Sequence, residues 1–277
     1  MKDDSRSAEQ IRRHYEIETA LADRLRSATH AERLELYGRV YAELYSQVPD
    51  IPHLDPEQSG ATRARDIARQ SAFLSRFLNP KTRFMEVGPG DYKLSIAISS
   101  RVHTVYAVDV TREVVDKLRL PPNVHFGLSD GCSIPVPDNT VDVALSDQML
   151  EHLHPEDAAE HLRNVWRALA PGGIYICITP NRIYGPHDVS KYFDQEAKGL
   201  HLREYSTVDL IKAFKEAGYS RVYVYTTLRE MKSVRLPVFI VKLVESILDL
   251  LPRRLSVGIA CSAVLLWVMR ARVVGQK

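Results

Sequence analysis

Cysteine, tryptophan and a strong net charge are all scarce in this sequence. The three cysteines among 277 residues, Cys132, Cys177 and Cys261, are far apart, odd in number and without metal-ligand spacing. That excludes a disulfide-stapled scaffold and a zinc finger, and leaves three core thiols in a reducing compartment as the expectation. A net charge of +2, with no long run of Lys or Arg, excludes the basic stripe of a dedicated nucleic-acid binder. The apolar stretch Leu255 to Met269 carries no charge over 15 residues, whereas a membrane span needs about 20. Residues 1 to 18 are charged and have no apolar core, so no secretory signal is expected and the cytoplasm is the expected location. Internal repeats and low-complexity tracts are also missing.

What is present is the composition of an ordinary globular chain, 45% hydrophobic and 26% charged. Its length suits one large domain with appended elements. Residues 8 to 47 read as two helices, with Ile11, Tyr15, Ile17, Leu21 and Leu25 at helical spacing among charges. Pro49, Pro52 and Pro56 interrupt the pattern, and a third helix, Arg63 to Leu78, should stop before Pro80.

From Thr82 onward, short apolar strands alternate with amphipathic helices, the signature of βαβ units on a parallel sheet. Strands are expected at 82–87, 103–109, 123–127, 141–146 and 173–178, with helices near 92–100, 111–119, 156–169 and 207–217, the last closed by Gly218. A β-rich run at 221–228, a helix at 237–250 and an apolar C-terminal segment follow. That segment reads as a last strand, with an interfacial membrane helix as the alternative because Arg253, Arg254, Arg270 and Arg272 flank it. The expected fold is α/β: a doubly wound, seven-stranded, mostly parallel sheet. Residues 1–79 form an N-terminal helical lid, and 80–277 the main domain, with a helical insertion at about 232–260.

The first strand runs into Glu86-Val-Gly88-Pro-Gly90-Asp91, and a helix follows at once. Glycines there let the backbone turn sharply and approach a ligand, while the helix start presents free N–H groups. The second strand ends in Asp109, 23 residues after Glu86, where a carboxylate can accept both ribose hydroxyls of a nucleoside. A dinucleotide fingerprint wants a third glycine, but that position holds Lys93. A nicotinamide-dependent oxidoreductase is therefore the weaker reading.

FMEVGPGD followed by VYAVDVT resembles the first two motifs of class I S-adenosylmethionine-dependent methyltransferases. SDGCSIPVPDNTVDVALSDQMLEHL is similar to the third and fourth motifs of that family, and LAPGGIYICITPN to its fifth-strand segment. The resemblance covers roughly residues 80 to 220. It implies a Rossmann-like fold and S-adenosylmethionine as cofactor, leaving S-adenosylhomocysteine as product. Carried over, Glu86, Gly88 and Gly90 would sit beside the methionine part of the cofactor, and Asp109 with Val110 at the ribose. Asp130 and Gly131, with Cys132 next to them, would face the adenine amino group, and Ser146, Asp147 and Gln148 the floor under the sulfonium. Many relatives have a small residue where this chain has Tyr92, which puts the shape of the methionine pocket in question.

Methyl transfer from a sulfonium needs mainly alignment, and a hydroxyl acceptor is helped by a positioned base. His152, in MLEHLHP, lies where the methyl should emerge; packing is its competing role, as it is for Glu151. The loop after the fifth strand, far longer than an ordinary 2–6 residue connection, concentrates polar side chains. His187 and Asp188 read there as a base and its partner, with Arg182, Tyr184, Lys191, His201 and Arg203 as acceptor contacts. In the competing reading, HLREYS only caps the next helix through Ser206. Tyr15 and Tyr37 are candidates for the lid. No tight spacing supports a metal site among His187, Asp188, Asp194 and His201, so none is expected.

The expectation is thus methyl transfer to a small, hydroxylated or sugar-like acceptor. Nitrogen or carbon acceptors, a lipid-linked acceptor with membrane contact, a homodimer, and a non-catalytic methyltransferase-like subunit remain open. No Asn/Asp-Pro-Pro-aromatic motif of nucleic-acid or amide nitrogen methylation is found.

Overall fold

A computed structural model describes residues 6–49, 56–228, 232–262 and 265–277; Pro52, expected as a helix breaker, lies outside them. Two helices open the chain, α1 (Ala8–Ser27) and α2 (His30–Gln47). Each starts at a capping box, Ser7 with Gln10 and Thr29 with Glu32, in which side chains satisfy the orphan N–H groups of the first turn. A third helix, α3 (Pro56–Leu74), ends four residues before the expected Leu78.

The main domain follows as β1 (Arg83–Val87), α4 (Lys93–Ser99), β2 (Thr104–Asp109), β3 (Val124–Leu128), β4 (Val141–Asp147), α5 (Pro155–Ala168), β5 (Leu169–Ile178), α6 (Thr207–Glu216) and β6 (Arg221–Leu228). After it come β7 (Lys232–Leu236), α7 (Val238–Leu250), α8 (Arg253–Ala260), α9 (Leu266–Met269) and β8 (Arg272–Gln276). The strands form one sheet in the order β3-β2-β1-β4-β5-β8-β6-β7. β1 to β5 pair in parallel, β8 runs antiparallel between β5 and β6, and β7 hairpins back along β6.

Burial on both faces explains why the inner strands are nearly continuous apolar runs. Val143, Leu145 and Ile176 enter one core cluster with Phe84, Leu94 and Ile98, while Ala144, Tyr175 and Cys177 enter the other with Leu162, Phe214 and Tyr219.

The differences from expectation have local causes. The sheet has eight strands rather than seven, because the insertion opens with the edge strand β7 and becomes helical only at Val238. The segment 111–119 forms only a 3-10 turn at Val115–Lys117; its paired β-branched valines and the following Pro121-Pro122 resist a longer helix. β5 starts at Leu169, bulged against β4, instead of at 173. The apolar C-terminal segment divides: Leu266–Met269 is helical and only Arg272–Gln276 is strand. Cys132 and Cys177 are buried as expected, but Cys261 is exposed. Among the described residues no helix is long and apolar enough to cross a membrane.

Candidate functional site

The parallel register brings the tips of β1, β2 and β4 to one edge: Val87 pairs with Val108 and Ser146, and Asp147 with Ile178. Ligands of open parallel sheets bind outside this carboxyl edge. A larger hollow of about 590 Å³, around Thr82, Arg83 and Asp142, lies at the opposite edge, where the strands begin.

Gly88, Gly90 and Tyr92 turn the chain out of β1 with φ of 70°, 58° and 59°. A side chain at Gly88 would press on Met149, whereas a Cβ at Gly90 would meet nothing within 4 Å, so the loop leaves open space above its backbone. Glu86 is buried under this loop and accepts the Ser95 hydroxyl at 2.5 Å. Burial pushes its carboxyl up to about 7, with Ser95 and Arg63 opposing. Tyr92 Oη is buried without a hydrogen-bond partner among the described residues. Asp91 is held by Arg63 at 2.7 and 2.9 Å, so Arg63 fixes the loop from α3.

Asp109, half-buried at the tip of β2, accepts the Val110 N–H at 2.7 Å, and burial raises its carboxyl. Asp130 folds back to accept the N–H groups of Cys132 at 2.9 Å and Ser133 at 2.7 Å. Gly131 has φ of 99°, and a Cβ there would stand 2.8 Å from the Tyr37 ring. In the same way Gly38 lets α2 approach the Val110 carbonyl. These contacts lay α2 over the loops after β2 and β3. Asp157 locks it there, accepting from Arg33 at 2.6 and 2.8 Å and from the Tyr37 hydroxyl at 2.6 Å.

The β4 tip divides its residues. Ser146 turns into the core to bond Tyr175 Oη at 2.7 Å rather than lining a floor. Asp147 accepts from Gln70, and burial pushes its carboxyl up to about 6. Gln148 is exposed at φ of 55°.

A second hollow, about 420 Å³, opens between α1, α2 and the long loop after β5. His14 and Glu18 line it from α1, Tyr41 and Tyr45 from α2, and His152, His187, Asp188, Lys191 and His201 from the opposite wall. Sequence reasoning missed the α1 and α2 contributors. The i,i+4 pair His14–Glu18, 2.7 Å apart, is buried on a face that otherwise reads as apolar packing.

The expected His187–Asp188 pair does not form. Both Asp188 oxygens are occupied by backbone, the N–H of Ser190 and that of Gly199, each at 2.9 Å. Glu204 partners His187 instead, accepting at its backbone N–H (2.7 Å) and meeting Nδ1 at 3.2 Å, and it also meets His201 Nδ1 at 2.8 Å. Burial alone would raise the Glu204 carboxyl, but these two histidines outweigh it and hold it at about 2. The i,i+3 spacing of His201 and Glu204 in HLRE was the available signal.

Of the expected acceptor contacts, Lys191 and His201 reach the hollow. Arg182 points away, bound to Asp209 and Asp249. Arg203 is exposed and lies over the Tyr205 ring. Tyr184 packs its ring edge against His187. Tyr15 donates to Asp194 at 2.5 Å, which ties α1 to the loop. Ser206 caps α6 through a capping box with Asp209, as the competing reading of HLREYS held.

Residues 85–177 match a family described as a methyltransferase domain. Over 136 residues the chain is 29% identical to a Mycolicibacterium smegmatis protein named a probable S-adenosylmethionine-dependent methyltransferase, covering 49% of this chain and 51% of that protein. A Mycobacterium tuberculosis protein of the same name is 30% identical over 136 residues, 49% of this chain and 47% of its own length. The chain thus spans about half the length of the curated relatives it matches. Solved structures share the fold. One is the complex between the Haloferax volcanii Trm112 methyltransferase activator and a methyltransferase (TM-score 0.53, 15% identity, 80% of this chain and 94% of that one). Another is an S-adenosylmethionine-dependent methyltransferase from Mesorhizobium loti (TM-score 0.51, 16% identity, 77% and 100%).

Proposed function

We propose that the chain is a class I S-adenosylmethionine-dependent methyltransferase, a reading supported by the match of residues 85–177 to a methyltransferase domain, and that it transfers the cofactor's methyl group to a hydroxyl of a small polar acceptor held in the 420 Å³ hollow. The hollow is the observation that carries this reading: a histidine-lined space beside the β4 tip, roofed by helices outside the core fold. On this reading residues 1–79 serve as the lid of the main domain.

The residues present fit the cofactor. Glu86, Asp109 and Asp130 are acceptors of the kind that an ammonium, ribose hydroxyls and an adenine amino group require. The open space over Gly90 and the partnerless Tyr92 hydroxyl leave room and a donor beside them. Val110, Gly131 and the Asp147–Gln148 tip complete the proposed contacts; Ser146 acts behind them by fixing β5 through Tyr175.

When bound, S-adenosylmethionine supplies a methyl already activated by its sulfonium. The chain's own task is then alignment and proton removal. His187 is the proposed base: Glu204 holds its Nδ1, so Nε2, buried and without a partner among the described residues, can take the acceptor's proton. The acidic partner also stabilises the imidazolium that forms. Lys191 and His201 would hold the acceptor, with Tyr41 and Tyr45 closing over it.

Calorimetric titration with S-adenosylhomocysteine tests the premise. Micromolar binding, lost by at least tenfold in Asp109→Ala and absent for NAD, is the expected result. Labelled methyl from S-adenosylmethionine should then appear on hydroxylated acceptors. No binding by the native chain removes the reading and promotes a non-catalytic subunit.

One observation favours a lipid-linked acceptor within this reading. Phe239, Leu243, Ile247 and Leu250 of α7 and Leu255 and Ile259 of α8 are exposed, with Lys242 and Arg254 exposed beside them. An apolar stripe flanked by basic residues suits an anionic membrane surface. The chain should co-sediment with phosphatidylserine vesicles and lose this with Phe239→Ser/Leu243→Ser; equal, negligible binding by both removes the lipid reading.

A further inference from the structure

Tyr92 opens α4 at a position where backbone and side chain pull against each other. Its φ of 59° is left-handed, a region that glycine enters freely and a bulky residue enters only under strain. Gly88 and Gly90, the earlier turn residues of the same loop, share that region. Loop geometry therefore explains the two glycines and leaves the tyrosine unexplained.

The ring is 1% exposed and belongs to the core cluster that holds Phe84, Leu94 and Val115. Packing of the ring offsets the backbone strain and accounts for an aromatic residue. It does not account for the hydroxyl. Phenylalanine would bury the same ring, whereas Tyr92 Oη is buried without a hydrogen-bond partner among the described residues, an arrangement that by itself destabilises the chain.

The surroundings of that hydroxyl are acidic. Burial, then the charge of Asp109 and that of Glu86, push the phenol's ionisation well above its ordinary value, with Arg112 opposing. Oη thus keeps its proton and is a donor in need of an acceptor. The two carboxylates are engaged by other donors: Asp109 Oδ1 accepts the Val110 N–H at 2.7 Å and the Thr111 N–H at 3.3 Å, and Glu86 accepts the Ser95 hydroxyl.

A ribose hydroxyl matches this need, because it carries one proton and two lone pairs. After giving its proton to Asp109, its oxygen can still accept, and Asp109 is the strongest of the charges acting on Tyr92. We propose that the Tyr92 hydroxyl donates a hydrogen bond to a ribose hydroxyl oxygen of the bound cofactor and so serves, with Asp109, as a second ribose anchor. The inference rests on the S-adenosylmethionine-dependent reading and adds a residue to it. It also gives the strained, partnerless tyrosine a partner that arrives only with the ligand.

The test is calorimetry of the full chain with S-adenosylhomocysteine and with its 2′-deoxy and 3′-deoxy analogues, beside melting curves without ligand. Tyr92→Phe should weaken S-adenosylhomocysteine binding by roughly three- to tenfold. The free variant should melt at the native temperature or above, because a buried hydroxyl without a partner has been removed. One of the two deoxy analogues should bind the native chain and Tyr92→Phe equally, since the ligand then lacks the accepting oxygen. Unchanged S-adenosylhomocysteine affinity in Tyr92→Phe overturns the proposal. So does the same penalty for all three ligands, which would assign the hydroxyl to another part of the cofactor, and so does a lower melting temperature of the free variant, which would give the hydroxyl a structural partner. Failure of the cofactor reading looks different: the native chain then binds none of the three ligands, and both readings fall together.

Discussion

Replacing Asp157 with Asn should loosen α2 from the sheet, and the structure sets the size of the effect. Asp157 is fully buried and Arg33 is 3% exposed, so the pair is shielded from solvent. Removing one member of such a pair costs roughly 3–5 kcal/mol, because the remaining charge stays buried. Arg33 also meets Glu156 at 2.9 Å, but that carboxylate is 73% exposed and offsets only part of the loss. The low end, about 3 kcal/mol, is the expectation. For a chain of this size that corresponds to a fall in melting temperature on the order of 10 °C.

Burial would raise the Asp157 carboxyl, but Arg33, Tyr37 and His30 hold it at about 2, below its ordinary 3.8. Its stabilising contribution is therefore complete above about pH 4 and lost as pH falls through 2. Thermal denaturation by circular dichroism, at neutral pH and between pH 4 and 2, would show a difference that narrows in acid. S-adenosylhomocysteine affinity should also fall, since Tyr37 and Gly38 press α2 against Gly131 and Val110. A variant that melts within 2 °C of native at neutral pH would refute the argument that this ion pair anchors α2.

Glu86→Gln should separate stability from binding. The native carboxyl, pushed by burial to about 7 from 4.5, favours folding below pH 4.5, and that advantage is lost as pH rises through 7. At pH 8 the variant without cofactor should be more stable by on the order of 2 kcal/mol, yet bind S-adenosylmethionine more weakly; equal melting curves at pH 8 would count against a buried, strained carboxylate. Glu204→Gln should lower kcat by at least tenfold with a smaller change in acceptor KM, because it orients the His187 base; a rise in KM alone would assign Glu204 to acceptor binding.

Sequence alone determined the alternation of strands and helices and therefore the parallel sheet. Apolar period and turn residues are local signals, and β1 to β4 and α6 fall close to their expected places. The glycine loop and the acid ending β2 were equally legible, because each depends on a few adjacent residues. The 111–119 helix, the edge strand β7 and the division of the C-terminal segment were not legible, since packing overrides weak local preference at a domain's margins.

Only tertiary structure decided the partners. Nothing in the spacing of His187 and Asp188 shows that backbone N–H groups have taken both Asp188 oxygens, or that Glu204, 17 residues on, reaches His187. Nor does any local pattern bring Glu151 and His152 to His201, about fifty residues away along the chain but a few ångströms apart in space. Hydrogen bonds and side-chain clusters depend on distances between folded elements, and those distances are fixed by the sheet and by the helices that pack across its edge.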